Sequence, residues 1–174
     1  MNINKFTQKS MEAVQNCEKL AYEYGNQQID ELHFLCSLLT LDDSLILKLV
    51  TKMGVQGDMF VNEVKQALEK LPKVSGGQLY ISNDLNKVLL SGEDEAKAMG
   101  DEYVSVEHLF LALIKNPSKE VKELFRTYNI TRERFLQALS TVRGNQRVVS
   151  DNPEAAYDTL EKYGYDLVER ARDQ

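Results

Sequence analysis

The residues able to do chemistry are few. His33 and Cys36 stand three positions apart, so a helix would place an imidazole and a thiol on one face, which is half of a zinc site. No second pair completes it, and the other histidine, His108, has Leu111 at that spacing. Each imidazole is therefore expected to bond the turn preceding its helix. A nucleophilic cysteine needs an exposed thiol of lowered pKa, whereas Cys17 and Cys36 occupy apolar-face positions and read as buried free thiols. The densest carboxylates are Glu93-Asp94-Glu95, Asp101-Glu102 and Glu107. General acid–base work requires one carboxyl in an apolar pocket, and these fall on polar helix-surface positions. A solvated acidic face is expected, with docking of basic partners as the functional alternative. Neither G-x-x-x-x-G-K-[ST] nor G-x-G-x-x-G occurs, so no nucleotide, cofactor or metal is expected within these residues. Asn129-Ile130-Thr131 fits a glycosylation acceptor but is idle in a cytosolic protein.

The elements that must position these residues form a repeat. His33 and His108 are 75 residues apart (108 − 33), and the same offset aligns Ala21 with Ala96, Gly25 with Gly100, Leu38 with Leu113, Leu49 with Leu124 and Phe60 with Phe135. Identities at apolar positions and helix stops, ungapped, indicate a duplicated module. Each copy reads as four helices. In the first, Thr7 is an N-cap and Gly25 a left-handed stop. A second helix starts near Asp30, Gly54 ends a third and Pro72 a fourth. In the second, Ser82, Ser105, Ser118 and Thr131 open helices that Gly100, Asn116-Pro117, Asn129 and Gly144 close. No strand period is sustained. The fold class is all-α, a duplicated four-helix repeat of two pseudo-equivalent bundles with a groove at their interface, followed by a linker and a short helical extension.

The whole chain has 174 residues, 21 Lys+Arg against 27 Asp+Glu and a net charge of −6. That balance does not attract phosphate backbones or anionic lipid, so neither nucleic acid nor membrane is an expected partner. No apolar run approaches a signal core or a membrane span, and the two unpaired cysteines fit a reducing cytoplasm. Asn145 to Ser150 lacks helical periodicity and reads as a tether, and Asn152-Pro153-Glu154 reads as a helix start. The sequence stops on a helix with little to pack against, which suggests a piece of something longer.

Ile29-Asp30-Glu31-Leu32-His33-Phe34-Leu35 in the first copy and Val104-Ser105-Val106-Glu107-His108-Leu109-Phe110 in the second resemble the N-terminal double repeat of Clp-type AAA+ chaperones. Leu71-Pro72-Lys73-Val74-Ser75-Gly76, Arg143-Gly144-Asn145-Gln146-Arg147-Val148 and Leu160-Glu161-Lys162-Tyr163-Gly164-Tyr165 are most similar to its disaggregase branch. The resemblance implies an N-terminal domain over 1–144, with repeats at about 5–72 and 80–144. A linker over 145–151 and the start of a first ATPase module over 152–174 would follow. It further implies a parent hexamer that uses ATP and Mg in modules beyond these residues and works with the DnaK chaperone system. The present chain, without Walker motifs, would be a monomeric, non-enzymatic module that engages exposed hydrophobic segments of unfolded or aggregated polypeptides. Family members also suggest an alternative, the adaptor-docking domain of a protease-coupled unfoldase. Carried over by position, the substrate-binding residues are Thr7, Ser82, Asp101 and Glu107, with Leu85, Val88 and Leu89 as apolar candidates. Asn26 departs from the histidine often found there, and since Asp101 is its repeat partner that turn is expected to be tolerant.

Overall fold

The computed structural model describes residues 3–144 and 146–153. The described residues form eight α-helices: α1 Gln8–Glu23, α2 Glu31–Thr40, α3 Leu45–Lys52, α4 Gly57–Glu69, α5 Asn83–Ala98, α6 Val106–Lys115, α7 Lys119–Thr127 and α8 Arg132–Arg143. The all-α, duplicated architecture is the one read from the sequence, and the reasons are local. Thr7 Oγ1 accepts the Ser10 N–H at the start of α1, and Ser82 Oγ accepts the Leu85 N–H at the start of α5. Gly25 and Gly100 close these helices at φ 72° and 74°, a left-handed conformation that costs glycine least.

Helices α2 and α6 are buried on nearly every face, from Glu31 to Leu39 and from Val106 to Leu113. Such helices can only be central. The remaining elements wrap around them, and the copies do not keep separate cores. Helix α3 of the first copy touches α6 and α8 of the second, α1 touches α6, and α4 touches α7. Phe60 of the first copy and Tyr128 of the second illustrate the shared interior, their rings meeting edge to face at 4.9 Å.

Two short parallel pairings, invisible to periodicity, tie the copies together. Strand β1, Gln28–Ile29, pairs with β2, Tyr80–Ile81, and a bridge joins Phe6 to Val104. The offset of 75 maps one pairing onto the other. The lead-in to each copy's first helix thus pairs with the turn before the other copy's second helix.

The segment expected as a tether lies on the domain. Val148 is buried, and its carbonyl accepts N–H bonds from Glu102 at 2.8 Å and Tyr103 at 3.3 Å. Further on, the Asp151 carbonyl accepts the Gln8 N–H at 2.7 Å, at the open start of α1. Of the expected extension over 152–174, residues from Glu154 onward lie outside the described residues.

Candidate functional site

A cavity of about 30 Å³ opens where the two copies meet. Helix α1 contributes Val14, Cys17 and Glu18, the first copy's turn and α2 contribute Ile29 and Phe34, and β2 with α5 contribute Ile81, Leu85 and Leu89. The i, i+4 spacing of helices puts Val14 and Glu18 in one row on α1 and Leu85 and Leu89 in another on α5, and both rows face the cavity. Its floor is apolar. At its edge Glu18 is exposed and Ile81 retains 40% of its surface, although strand pairing holds its backbone. The volume accepts the tip of one apolar side chain.

Two larger clefts carry more charged side chains. One, about 450 Å³ between α3 and α8, is lined by Lys52, Met53, Arg134 and Gln137, and Arg134 donates to the carbonyls of Met53 and Asn129. The other, about 430 Å³, is lined by Glu95 and Arg132, which neutralise each other through a two-pronged pair at 2.9 and 2.8 Å. Arg134, Glu95 and Arg132 are thus already engaged.

The expected site residues are brought into the interior rather than onto a surface. Thr7 and Ser82 are buried caps. Thr7 Oγ1 also donates to Ser10 Oγ, which donates to the Val104 carbonyl, and Ser82 Oγ donates to Asp30 Oδ1. Leu85, Val88 and Leu89 are all core residues, of which Leu85 and Leu89 reach the cavity wall. Glu107 is fully buried. Its oxygens accept no hydrogen bond among the described residues, and Arg143 Nη1 stands 3.9 Å away. The acidic face expected at 93–107 is correspondingly broken up: Glu95, Asp101 and Glu107 are buried, each near a guanidinium supplied by α8 or by the residue at its start.

The position expected to be tolerant, Asn26 and Asp101, turns out to be the centre of each turn. His33 Nδ1 accepts the Asp30 N–H at 2.9 Å and His108 Nδ1 accepts the Ser105 N–H at 2.9 Å. The ring proton therefore sits on Nε2, which donates to Asn26 Oδ1 at 2.9 Å and to Asp101 Oδ2 at 2.6 Å. Burial pulls the His33 pKa down, which favours this neutral ring. The imidazoles bond the preceding turns as the sequence suggested. Among the described residues no three metal-ligating side chains converge. Burial raises the pKa of the Asp101 carboxyl, and the bonds from His108, Arg143 and Val148 outweigh it and hold it well below the usual range. Both thiols are buried and burial pushes both pKa values up, which makes them inert.

Sequence reasoning missed Glu31 and Arg143. Glu31 Oε1 reaches across the copies to accept the Ser118 N–H, at 2.9 Å, at the start of α7. Burial, only partly offset by that bond, lifts its carboxyl to about 8. Neither residue carried a signal in one sequence, since a polar residue at a helix end is ordinarily exposed.

A doubled helical repeat with exchanged lead-ins, a neutral histidine anchoring each turn and one apolar cavity between copies defines a binding domain. The Clp repeat (R) N-terminal domain family matches residues 5–128, and the chain belongs to that family. Chaperone protein ClpB of Nitratidesulfovibrio vulgaris is 40% identical over 178 residues, covering 99% of this chain and 21% of that protein. ClpB of Bacillus anthracis is 40% identical over 173 residues, covering 97% of this chain and 20% of its own length. The chain thus spans about a fifth of these relatives. Among solved structures, the Hsp104 N-terminal domain from Candida albicans matches with a TM-score of 0.74 at 25% identity, over 84% of this chain and 97% of that one. A ClpV N-domain in complex with a VipB peptide shares the fold at a TM-score of 0.61 and 22% identity, over 79% of this chain and 86% of that one. The chain is a chaperone N-terminal repeat domain, distinct from the ATPase modules of such proteins. Among its described residues no helix is long and apolar enough to cross a membrane.

Proposed function

We propose that this domain binds exposed apolar segments of unfolded or aggregated polypeptides, as the substrate-engaging part of an ATP-dependent disaggregase. The observation that carries the reading is the cavity between α1 and α5, with an apolar floor and the half-exposed Ile81 at its edge. A single side chain entering it buries little area, so affinity is low and release is easy, which suits a module that hands its substrate on. By the same reading the parent is a cytoplasmic hexamer that consumes ATP with Mg and cooperates with DnaK, while the present domain is monomeric. Thr7, Ser82, Asp101 and Glu107 then act by shaping the turns and helix starts around the cavity, because none is presented to solvent.

Titration of the chain with a permanently unfolded polypeptide, followed by amide NMR, tests this. Shifts are expected on α1, β2 and α5 around Val14, Ile81 and Leu85, with Ile81→Asp weakening binding about tenfold, since it places a charge beside an apolar floor. Shifts confined to other faces, or binding unchanged by Ile81→Asp, would refute it. A second reading is docking of a dedicated adaptor, prompted by the ClpV N-domain solved with a peptide of one particular protein, VipB. Binding of a folded partner that unfolded polypeptide fails to displace would select it.

A further inference from the structure

The two copies differ at their exits in one chemically informative way. Each fourth helix is followed by a segment that crosses its copy's first interhelical turn, and the offset of 75 places Val148 opposite Lys73. In the first copy the crossing segment offers a carbonyl, that of Pro72, and Asn26 Nδ2 donates to it at 3.0 Å. In the second it offers an N–H, that of Val148, and Asp101 Oδ1 accepts it at 3.0 Å. An amide faces the acceptor and a carboxylate faces the donor.

We infer that Asp101 is a latch that fastens the exit arm, residues 146–151, against the domain, and that this arm leaves by releasing that carboxylate. Asp101 Oδ2 accepts the hydrogen bond from His108 Nε2–H, which leaves Oδ1 to accept both Arg143 Nη2 and the Val148 N–H. Arg143 in turn donates through Nε to the Gln146 carbonyl at 2.8 Å, so one ion pair holds the arm at two successive places. The Val148 side chain is buried, its carbonyl is paired with the Glu102 and Tyr103 N–H groups, and Asp151 closes on Gln8 of the other copy. These anchors lie on the domain, while Gln146, Arg147, Val149 and Ser150 are exposed. Such alternation leaves few apolar contacts to break, which is the character of a segment that opens locally while the rest stays folded. Freeing six residues lengthens the reach of the domain by up to about 20 Å, so the latch sets whether the domain is held close or swings.

Asp101→Asn separates this role from a merely structural one. Asn26 shows that an amide at this position satisfies the histidine and keeps the turn. At 101, however, an amide turned either way sets an N–H₂ against either the His108 Nε2–H or the Val148 and Arg143 donors. In the 174-residue chain, Asp101→Asn is expected to raise amide exchange at Val148 and Glu102, and tryptic cleavage after Arg147, at least tenfold, with amides of α1–α4 unchanged. Val148→Asp, which leaves the Asp101 cluster intact, is expected to raise Glu102 exchange and Arg147 cleavage equally, and it serves as the reference if Asp101→Asn unfolds. Parental exchange at Glu102 and parental cleavage after Arg147 in either folded variant would overturn the inference.

Discussion

Gly92 lies inside α5, where replacement by alanine normally stabilises a helix by about 1 kcal/mol. The tertiary structure reverses the sign. A Cβ built on Gly92 meets Leu109 Cδ2 at 2.6 Å and Val104 Cγ1 at 3.1 Å, against an ordinary carbon–carbon contact of about 3.5–4.0 Å. Relief needs a shift of about 1 Å, and neither neighbour has room. Leu109 is buried in α6, and Val104 is pinned by its bridge to Phe6 and by the Thr7 N–H and Ser10 hydroxyl on its carbonyl. Overpacking of this kind costs about 1–3 kcal/mol. Subtracting the helix gain leaves Gly92→Ala destabilised by about 1 kcal/mol, a fall of roughly 2–4 °C in Tm for a chain this long. The first copy has Cys17 at the matching position, beside the cavity, so the close approach belongs to α5 and α6 alone. Thermal unfolding followed by circular dichroism at neutral pH measures the effect. A Tm raised by 2 °C or more would show that the α5–α6 contact is slack and that the packing argument is wrong.

Two other outcomes follow from buried titratable groups. Glu31 has a folded value of about 8 against an ordinary 4.5, so the folded chain retains a proton that the unfolded chain releases. Its contribution is fully present below about 4.5 and lost as pH rises through about 8. From about pH 7.5 upward His33, depressed when folded and ordinary when unfolded, is essentially neutral in both states, so the fall in urea midpoint above that pH reports Glu31. Glu31→Gln, which still accepts the Ser118 N–H, should flatten it, and an unchanged slope would assign the effect elsewhere. Cys17 and Cys36, buried and with raised pKa values, should react with a chromogenic disulfide only as fast as the chain opens. Labelling of either thiol at the rate of a free cysteine would contradict the packing of α1 against α2.

The helices were legible because their signals are local. Thr7, Ser82 and Thr131 act on N–H groups within one turn, and glycine stops depend on their own φ. The repeat was legible because His33 and His108 recur with their turns intact. The site was legible only in outline. Leu85 and Leu89 reach the cavity, but Ile81, its exposed edge, belongs to a strand of two residues that has no period to read and exists only because β1 lies beside it. Likewise, the carboxylates at 95, 101 and 107 have nothing in their immediate neighbours to mark them as buried, because the arginines beside them come from 37, 42 and 36 residues away.

Capping, glycine conformation and apolar spacing thus dictated eight helices in two matching sets, since each acts over a few residues of chain. The exchange of lead-ins between copies, the closed α5–α6 contact and the exit arm lying on Asp101 depend on groups far apart in sequence. Their free energy arises from burial and from partners that meet only after the chain has folded back on itself, and for that reason no spacing along the chain encodes them.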